Sequence, residues 1–448
     1  MRPQSVRGTS DLLPEDVRRW STVEQTIRRL ASLYGYQELR TPLIEDAALF
    51  LRSVGETTDI VQKEMFRFSD RGGHEIVLRP EGTVPIVRAY LEHSLHKTHG
   101  FMKVFYLGPM FRAERPQAGR FRQFHQYGVE AIGSGNPWVD VEVIALCLHV
   151  LRECGLVEAP VWLASMGCRA DQARSAEQLR QRLAPHRATL CQECQSRLER
   201  NVFRILDCKN PTCHAVAWET GQRRAGQGSS VFLLCKDCQH HFDEVRRGLA
   251  HAKVAFDDTK VFARGLDYYT RTVFEVRAKG LGAQDAVAAG GRYDHLVEEL
   301  GGPAMGAVGF AAGIERLLLA TQSQTPERPA DSIRKGLYVA VARPGLLTET
   351  FRLVQELRQR AISVVMDLGG RSVKSQLRDA DKSGSRWVVV IGEQELATRS
   401  ATFKDLAEGG QHATSIEAFV SVMKGEPVPE TDLESLATRI RTLLQEEN

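Results

Sequence analysis

FRAERPQAGRFRQFHQYGVEAIG, residues Phe111 to Gly133, divides into strand, tip and strand. RQFHQYGVEAIG reads as one strand, and MKVFYLGPMFRAE, which leads into it, as another. The charged, Gly- and Pro-containing RPQAGR between them reads as the polar tip of an antiparallel hairpin. Successive side chains on a strand point to opposite faces. Phe124, Gln126, Gly128 and Glu130 therefore share one face, and His125, Tyr127 and Val129 take the other. Gln126 and Glu130 thus line one pocket floor. Arg112, Arg115, Arg120 and Arg122 stand against Glu114 and Glu130. Guanidinium groups bind phosphate oxygens bidentately and stay charged. A solvated hairpin carrying surface ion pairs is the bland alternative.

Upstream, residues 15–34 carry Val17, Trp20, Val23, Ile27, Leu30 and Tyr34 at steps of three and four, an amphipathic helix. Ser10 or Asp11 is the expected cap, Pro14 suits the first position, Glu15 and Asp16 favour the positive end, and Gly35 stops the helix. YQELRTPLIE is strand-like up to Pro42, and EIVLRP is a short strand. Downstream, residues 139–154 return to helix. Residues 169–253 differ in composition and read as an inserted module, mostly helical by expectation. VFARGLDYYTRTVFEVRA then resumes strand patterning. A helix from Tyr293 to Leu300 follows, and GAVGFAAGIERLLLA reads as strand or Gly-rich turn running into helix. The polar, Pro-containing residues 321–335 suit a linker. Beyond them GLYVAVA, a helix near 347–360, ISVVMDL, a helix near 372–384 and WVVVIG alternate as in a small α/β domain with a mostly parallel sheet.

The 448 residues suggest about three domains. With 42% hydrophobic and 26% charged residues, the composition excludes a mostly disordered chain, a collagen-like chain and a small disulfide scaffold. No stretch approaches the ~18 apolar residues of a membrane span, so no membrane partner is expected. The opening MRPQSVRGTSDLLPEDVRRW has no apolar signal core, and the expected location is cytoplasmic. Net charge of +3 neither demands nor excludes a nucleic-acid partner.

FRAERP followed by GRFRQFHQ resembles motif 2 of the class II aminoacyl-tRNA synthetases. GFAAGIERLLL, with Gly309, Gly313 and Arg316, resembles their motif 3, and YQELRTP at 36–42 their motif 1. LRPEGT at 78–83, RGLDYYTRTVFE at 264–275 and the N-terminal RGTSDLLP resemble the histidyl-tRNA synthetases specifically. The resemblance runs from Arg7 to the C-terminal domain, and the ordered set is far more specific than any single motif. It implies an α+β class II catalytic domain with an antiparallel sheet and helices, an inserted domain and a C-terminal α/β anticodon-binding domain. The implied boundaries are 1–168 and 254–325 for the two catalytic parts, 169–253 for the insertion and 326–448 for linker and anticodon-binding domain.

The same resemblance implies a two-step reaction. The carboxylate of L-histidine attacks the α-phosphorus of ATP, brought with Mg2+, and histidine then passes to the 3′ end of histidine tRNA. Arg112 would grip the α-phosphate and substrate carboxylate, Glu114 the adenine amino group, Arg316 the γ-phosphate, and Arg264 the α-phosphate from the opposite side. Glu81, Thr83 and Gln126 would surround the α-ammonium, with Gly82 also in the histidine-binding site. Glu130 and Tyr269 would take the two imidazole nitrogens, with Tyr268 beside them. A carboxylate and a phenol suit the two polar nitrogens of an imidazole, and a pocket so built rejects analogues that leave its polar groups unpaired. Arg115 and Gln117, on the motif 2 loop, would meet the tRNA acceptor end. Motif 1 implies a homodimer. One departure is Ala164-Ser165-Met166-Gly167, where the family often has Asn-Ser-x-Gly.

A cysteine-rich insertion, absent from many relatives, is the other departure. It holds Cys191-x-x-Cys194, Cys208-x4-Cys213 and Cys235-x-x-Cys238, with His214, His240 and His241 nearby. Any four of these six thiols form a candidate structural zinc site; reduced thiols packed in a small core are the alternative. Arg223 and Arg224 sit in its Gly-rich loop, where they would contact RNA phosphates or stand solvated. Lys374, Arg378 and Lys382, with Arg371 just before, form a basic helix stripe that suits an RNA backbone or plain solvation. The alternative for the whole chain is a catalytically silent regulatory paralogue serving ATP phosphoribosyltransferase. Such subunits typically lack the anticodon-binding domain and lose catalytic arginines. Arg112, Arg264, Arg316 and a full C-terminal domain argue for the enzyme.

Overall fold

The hairpin forms as its alternation predicts: Met102–Phe111 and Gln123–Ile132 pair antiparallel along their whole length, Met102 opposite Ile132 and Phe111 opposite Gln123. The computed structural model describes residues 3–55, 58, 60–116, 119–206, 208, 210–221, 232–259, 267–281, 285–324 and 334–424. The chain divides into two units, Met1–Pro326 and Glu327–Asn448.

The first unit contains β1 (Gln37–Glu38), β2 (Ile44–Asp46), β3 (Phe66–Ser69), β4 (Glu75–Leu78), β5 (Met102–Phe111), β6 (Gln123–Ile132), β7 (Val161–Ser165), β8 (Phe256–Asp257), β9 (Thr270–Arg277), β10 (Ala286–Arg292) and β11 (Ala307–Gly313). Eight of them form one sheet in the order β1-β5-β6-β11-β10-β9-β7-β8, antiparallel except at its two edge pairs, and β2-β4-β3 form a small one. Face alternation separates core from site. Tyr127, Val129, Ala131, Phe310, Ala312, Phe274 and Val276 pack with helices Pro14–Leu33, Pro137–Glu153 and Ile314–Gln324. Val104, Tyr106 and Val273 face the other way, toward helix Thr83–Glu92 and Tyr268, Tyr269 and Tyr293. Fully burying one such large side chain stabilises by about 1.5–3 kcal/mol.

Three local expectations change. Helix Pro14–Leu33 is not capped by Ser10 or Asp11; the Leu13 N–H instead donates to Asp16 Oδ2 at 3.4 Å, an acid inside the first turn. The helix expected from Tyr293 is only Leu296–Glu299. The Tyr293 N–H is claimed by Ala307 O at 2.8 Å, which holds that residue beside β11. The strand expected up to Pro42 ends at Glu38, and the carbonyls of Thr41 and Pro42 are bound by the Arg79 guanidinium instead.

Within the cysteine-rich stretch, helices Arg169–Leu183 and Gln192–Arg200 share a separate apolar cluster built on Leu179, Leu183, Leu198, Val202 and Ile205. Val245 and Leu249, on helix Lys236–His251, instead join the main core. The main core also encloses an ion pair. Arg292, fully buried, donates through Nε to both Asp140 oxygens at 3.2 Å, through Nη1 to the Ser134 carbonyl and to Asp294 Oδ1 at 3.1 Å, and through Nη2 to the Asn136 carbonyl. This ties β10 to the start of helix Pro137–Glu153.

In the second unit β12 (Leu337–Val341), β13 (Val364–Met366) and β14 (Trp387–Ile391) are mutually parallel, as the alternation predicts. An unanticipated antiparallel pair, β15 (Ser400–Asp405) and β16 (Gln411–Ser415), extends the sheet. Phe403 and Phe419 stack in its core at 3.8 Å. On helix Val373–Lys382, Lys374, Arg378 and Lys382 are exposed and Gln376 and Ala380 face inward. Arg371 is bound to Asp367 at 2.7 Å.

Removing Asp140 takes from the fully buried Arg292 the carboxylate that meets it through both Nε and Nη2, and leaves it, among the described residues, only the Asp294 carboxylate, at 3.1 Å. Asp140→Ala should therefore lower unfolding stability by about 3–5 kcal/mol. Urea unfolding measures it, and a loss below about 1 kcal/mol, the scale of an exposed pair, would refute the structural role.

Candidate active site

Two buried carboxylates meet where helix Thr83–Glu92 reaches the sheet. Glu81 precedes the helix and accepts the otherwise unpaired N–H groups of Thr83 at 2.9 Å and Val84 at 2.8 Å. The Thr83 hydroxyl donates to Glu130 Oε1 at 2.7 Å, and the Tyr293 hydroxyl donates to the other Glu130 oxygen. The Tyr268 hydroxyl donates to Glu81 Oε2 at 3.4 Å. Glu130 is fully buried on β6, and burial pushes its carboxyl up to about 8 despite the Tyr293 and Thr83 hydrogen bonds; the Glu81 charge raises it further. Burial also raises Glu81, opposed by the Val84 and Thr83 N–H groups and by Arg112.

Space here depends on missing side chains. A Cβ on Gly309, opposite Glu130 on β11, would overlap the Glu130 carboxylate. One on Gly82 or Gly128 would overlap the Tyr106 ring or hydroxyl. Gln126 lies on the same face of β6, and among the described residues none donates to its buried Oε1. Tyr269 is buried with its ring 4.9 Å from that of Tyr268, and its carbonyl accepts from Gln172 Nε2 at 2.9 Å. Glu81, Thr83, Glu130 and Tyr268 are thus joined directly. The chemistry is that of a receptor for N–H donors and a small cation.

Along the hairpin the groups turn cationic. Arg112 donates through Nε to Pro80 O at 3.0 Å, next to Glu81, and its guanidinium lies 5.2 Å from the Phe124 ring centre. Glu114 is ion-paired with Arg120. Arg316 donates to Ala286 O at 2.9 Å and to Gly119 O, within the hairpin tip, at 3.3 Å. Burial first, then the Arg120 charge, lowers the Arg316 guanidinium, with Asp285 and Glu114 opposing. Glu315 holds His125 by its backbone N–H at 2.9 Å and its ring Nδ1 at 3.0 Å, so the motif 3 helix fixes the hairpin. Arg115 is exposed. Arg264, Gln117, Arg223 and Arg224 lie outside the described residues, as does the His214 side chain.

Cys191, Cys194, Cys208 and Cys213 form one group whose sulfurs all lie within 4.8 Å of one another. Cys235 and Cys238 are not part of it, so the two Cys-x-x-Cys pairs are not halves of one site. Sequence reasoning passed over Tyr293 and Tyr106. The GGRY run at 290–293 and the cross-strand place of Tyr106 opposite Gly128 were the available signals.

An antiparallel sheet presenting this acidic pocket beside Arg112 and Arg316 is the core of a class II aminoacyl-tRNA synthetase. Residues 8–317 match the family model for histidyl-tRNA synthetase and residues 337–426 the anticodon binding domain. The chain belongs to the histidyl-tRNA synthetase family. It is 44% identical to a histidine–tRNA ligase of Halothermothrix orenii over 425 residues, 95% of this chain and 99% of that one. A histidine–tRNA ligase of Desulforudis audaxviator is 45% identical, covering 93% and 97%. The crystal structure of apo S. aureus histidyl-tRNA synthetase, 32% identical, matches with a TM-score of 0.76 over 94% of this chain and 100% of that one.

The raised Glu130 carboxyl makes stability depend on pH. The native state keeps a proton up to about pH 8, whereas the unfolded chain releases it near 4.5. The native state therefore binds more protons between these values. The contribution is complete below about 4.5 and is lost as pH rises through about 8. Glu130→Gln, which cannot ionise, should gain on the wild type by up to about 1.4 kcal/mol per pH unit. Urea unfolding at about pH 5 and about pH 8 tests this, and a pH-independent difference between the two proteins would contradict it.

Proposed function

We infer that this protein is a histidine–tRNA ligase. The observation that carries the reading is the buried Glu81–Thr83–Glu130–Tyr268 network, set in a chain about 44% identical to ligases of that name along nearly its whole length. A second reading, a silent regulatory paralogue, is weaker. A Bacillus halodurans chain described as an ATP phosphoribosyltransferase regulatory subunit/histidyl-tRNA synthetase is only 24% identical, a likeness of fold.

ATP, with Mg2+, and L-histidine are the substrates of the first step. The α-ammonium sits among Glu81, Thr83 and Gln126, whose buried Oε1 is a ready acceptor. One imidazole N–H donates to a free lone pair of Glu130, and the Tyr269 hydroxyl meets the other nitrogen, with Tyr268 alongside. Glu114 takes the adenine amino group and Arg316 the γ-phosphate. The histidine carboxylate attacks the α-phosphorus, pyrophosphate leaves, and Arg112 and Arg264 oppose the charge that builds on phosphorus. The ribose hydroxyl at the tRNA 3′ end then attacks the carbonyl and AMP leaves. Positioning and fixed charge supply the catalysis.

Arg115 and Gln117 meet the acceptor end, and the exposed Lys374, Arg378 and Lys382 track the anticodon-arm backbone. Catalytic parts 1–168 and 254–325 flank an insertion, 169–253, over the acceptor arm, with 326–448 holding linker and anticodon-binding domain. A structural zinc is held by Cys191, Cys194, Cys208 and Cys213. The protein is a homodimer, a reading supported by exposed Leu43, Ile44 and Phe68 on and beside the small sheet that follows motif 1. No described helix is long and apolar enough to cross a membrane; nine free cysteines support a reducing, cytoplasmic setting.

ATP–pyrophosphate exchange should require L-histidine, and exchange driven by another amino acid instead would overturn the assignment. Arg264→His gives up an always-charged fork. It should slow adenylate formation by about 10²-fold or more and spare transfer from preformed adenylate. Rapid quench of the two half-reactions separates them, and equal slowing of both would remove Arg264 from this role.

A further inference from the structure

We propose a second thiolate metal site, made by Cys168, Asp171, Cys235 and Cys238, distinct from the Cys191 group. Their ligand atoms lie within 4.8 Å of one another. Around a tetrahedral zinc ion, thiolates at ~2.3 Å sit about 3.8 Å apart and a carboxylate oxygen at ~2.0 Å sits about 3.5 Å from each, so these three thiols and one carboxylate need only a small contraction to close on a metal.

Two helix starts build it. Cys168 is the residue before helix Arg169–Leu183 and Asp171 stands in its first turn; Cys235 is the residue before helix Lys236–His251 and Cys238 stands in its first turn. One start reads Cys-x-x-Asp and the other Cys-x-x-Cys. The positive ends of both helices favour anionic ligands. Backbone N–H groups already orient the donors. Cys235 N donates to Asp171 Oδ1 at 3.1 Å, Cys168 N to Asp171 Oδ2 at 3.3 Å and Cys238 N to Cys235 Sγ at 3.5 Å. The Cys191 group repeats the device, with Cys191 just before helix Gln192–Arg200 and Cys194 in its first turn. Gly167, at φ +70°, lets the chain turn tightly against Asp171; a Cβ there would come within 2.6 Å of the Asp171 Cβ.

The site clamps both ends of the cysteine-rich stretch beside the histidine pocket. Gln172, next to Asp171, holds the Tyr269 carbonyl at 2.9 Å, and Arg271 N donates to Gly167 O at 2.8 Å. A divalent cation of the zinc class here positions the Tyr268–Tyr269 segment rather than touching substrate.

Metal analysis of untagged, zinc-reconstituted protein tests the proposal, together with Co2+ substitution, which reports thiolate ligation by its charge-transfer absorption. Cys208→Ser disrupts only the first group and Cys235→Ser only the second. The expected result is two metals per chain in the wild type, and one in each variant. A metal-free wild type, or folded Cys208→Ser with none, would overturn the second site. If Cys235→Ser fails to fold, the wild-type and Cys208→Ser counts still decide. The histidine Michaelis constant should rise several-fold in Cys235→Ser, with less change in that for ATP. Metal counts do not depend on the ligase reading; histidine-dependent exchange on the same preparation tests that separately.

Discussion

A carboxylate buried in the middle of a sheet must be hydrogen-bonded, protonated or matched by a ligand, because water cannot reach it. Glu130 imposes that constraint on the first unit. Thr83 and Tyr293 satisfy one lone pair on each oxygen. Thr83 can do so only because Glu81 fixes the start of its helix against the sheet. Tyr293 can do so only because its backbone is held to Ala307 beside β11. Gly309, directly across from Glu130, leaves the room. Three other segments, 81–83, 293 and 307–309, therefore converge on one group, and the lone pairs left over define what the pocket accepts.

The electrostatic layout follows from the same sheet. Its apolar face buries Phe310 and Phe274 under helices, so charged groups gather on the other face and along the hairpin. Acidic groups lie deep and arginines toward the tip, from Arg112 beside Pro80 to Arg316 at Gly119. The Asp140–Arg292 pair does not touch this pocket, but it anchors β10 just before Tyr293.

Much of this was legible in the sequence because a period of two forces a choice of face. Once the hairpin was recognised, Gln126 and Glu130 had to lie together. The partners of Glu130 were harder, since Tyr293 sat in a segment whose local pattern favoured helix until a distant strand claimed its N–H. β15 and β16 went unread, although Ala401, Phe403 and Asp405 alternate inward. Spacing could not sort six cysteines, because grouping depends on which helix starts face each other. Arg371 looked available to RNA, yet Asp367 four residues earlier binds it.

The central claim is that Glu130 reads the imidazole of the substrate. A crystal structure of the protein with L-histidine bound measures this most directly. One imidazole nitrogen should lie about 2.7–3.2 Å from the Glu130 carboxylate, with the other at the Tyr269 hydroxyl and the α-ammonium at Gln126 Oε1. A histidine bound with its imidazole away from Glu130, or with its ammonium in that place, would contradict the account.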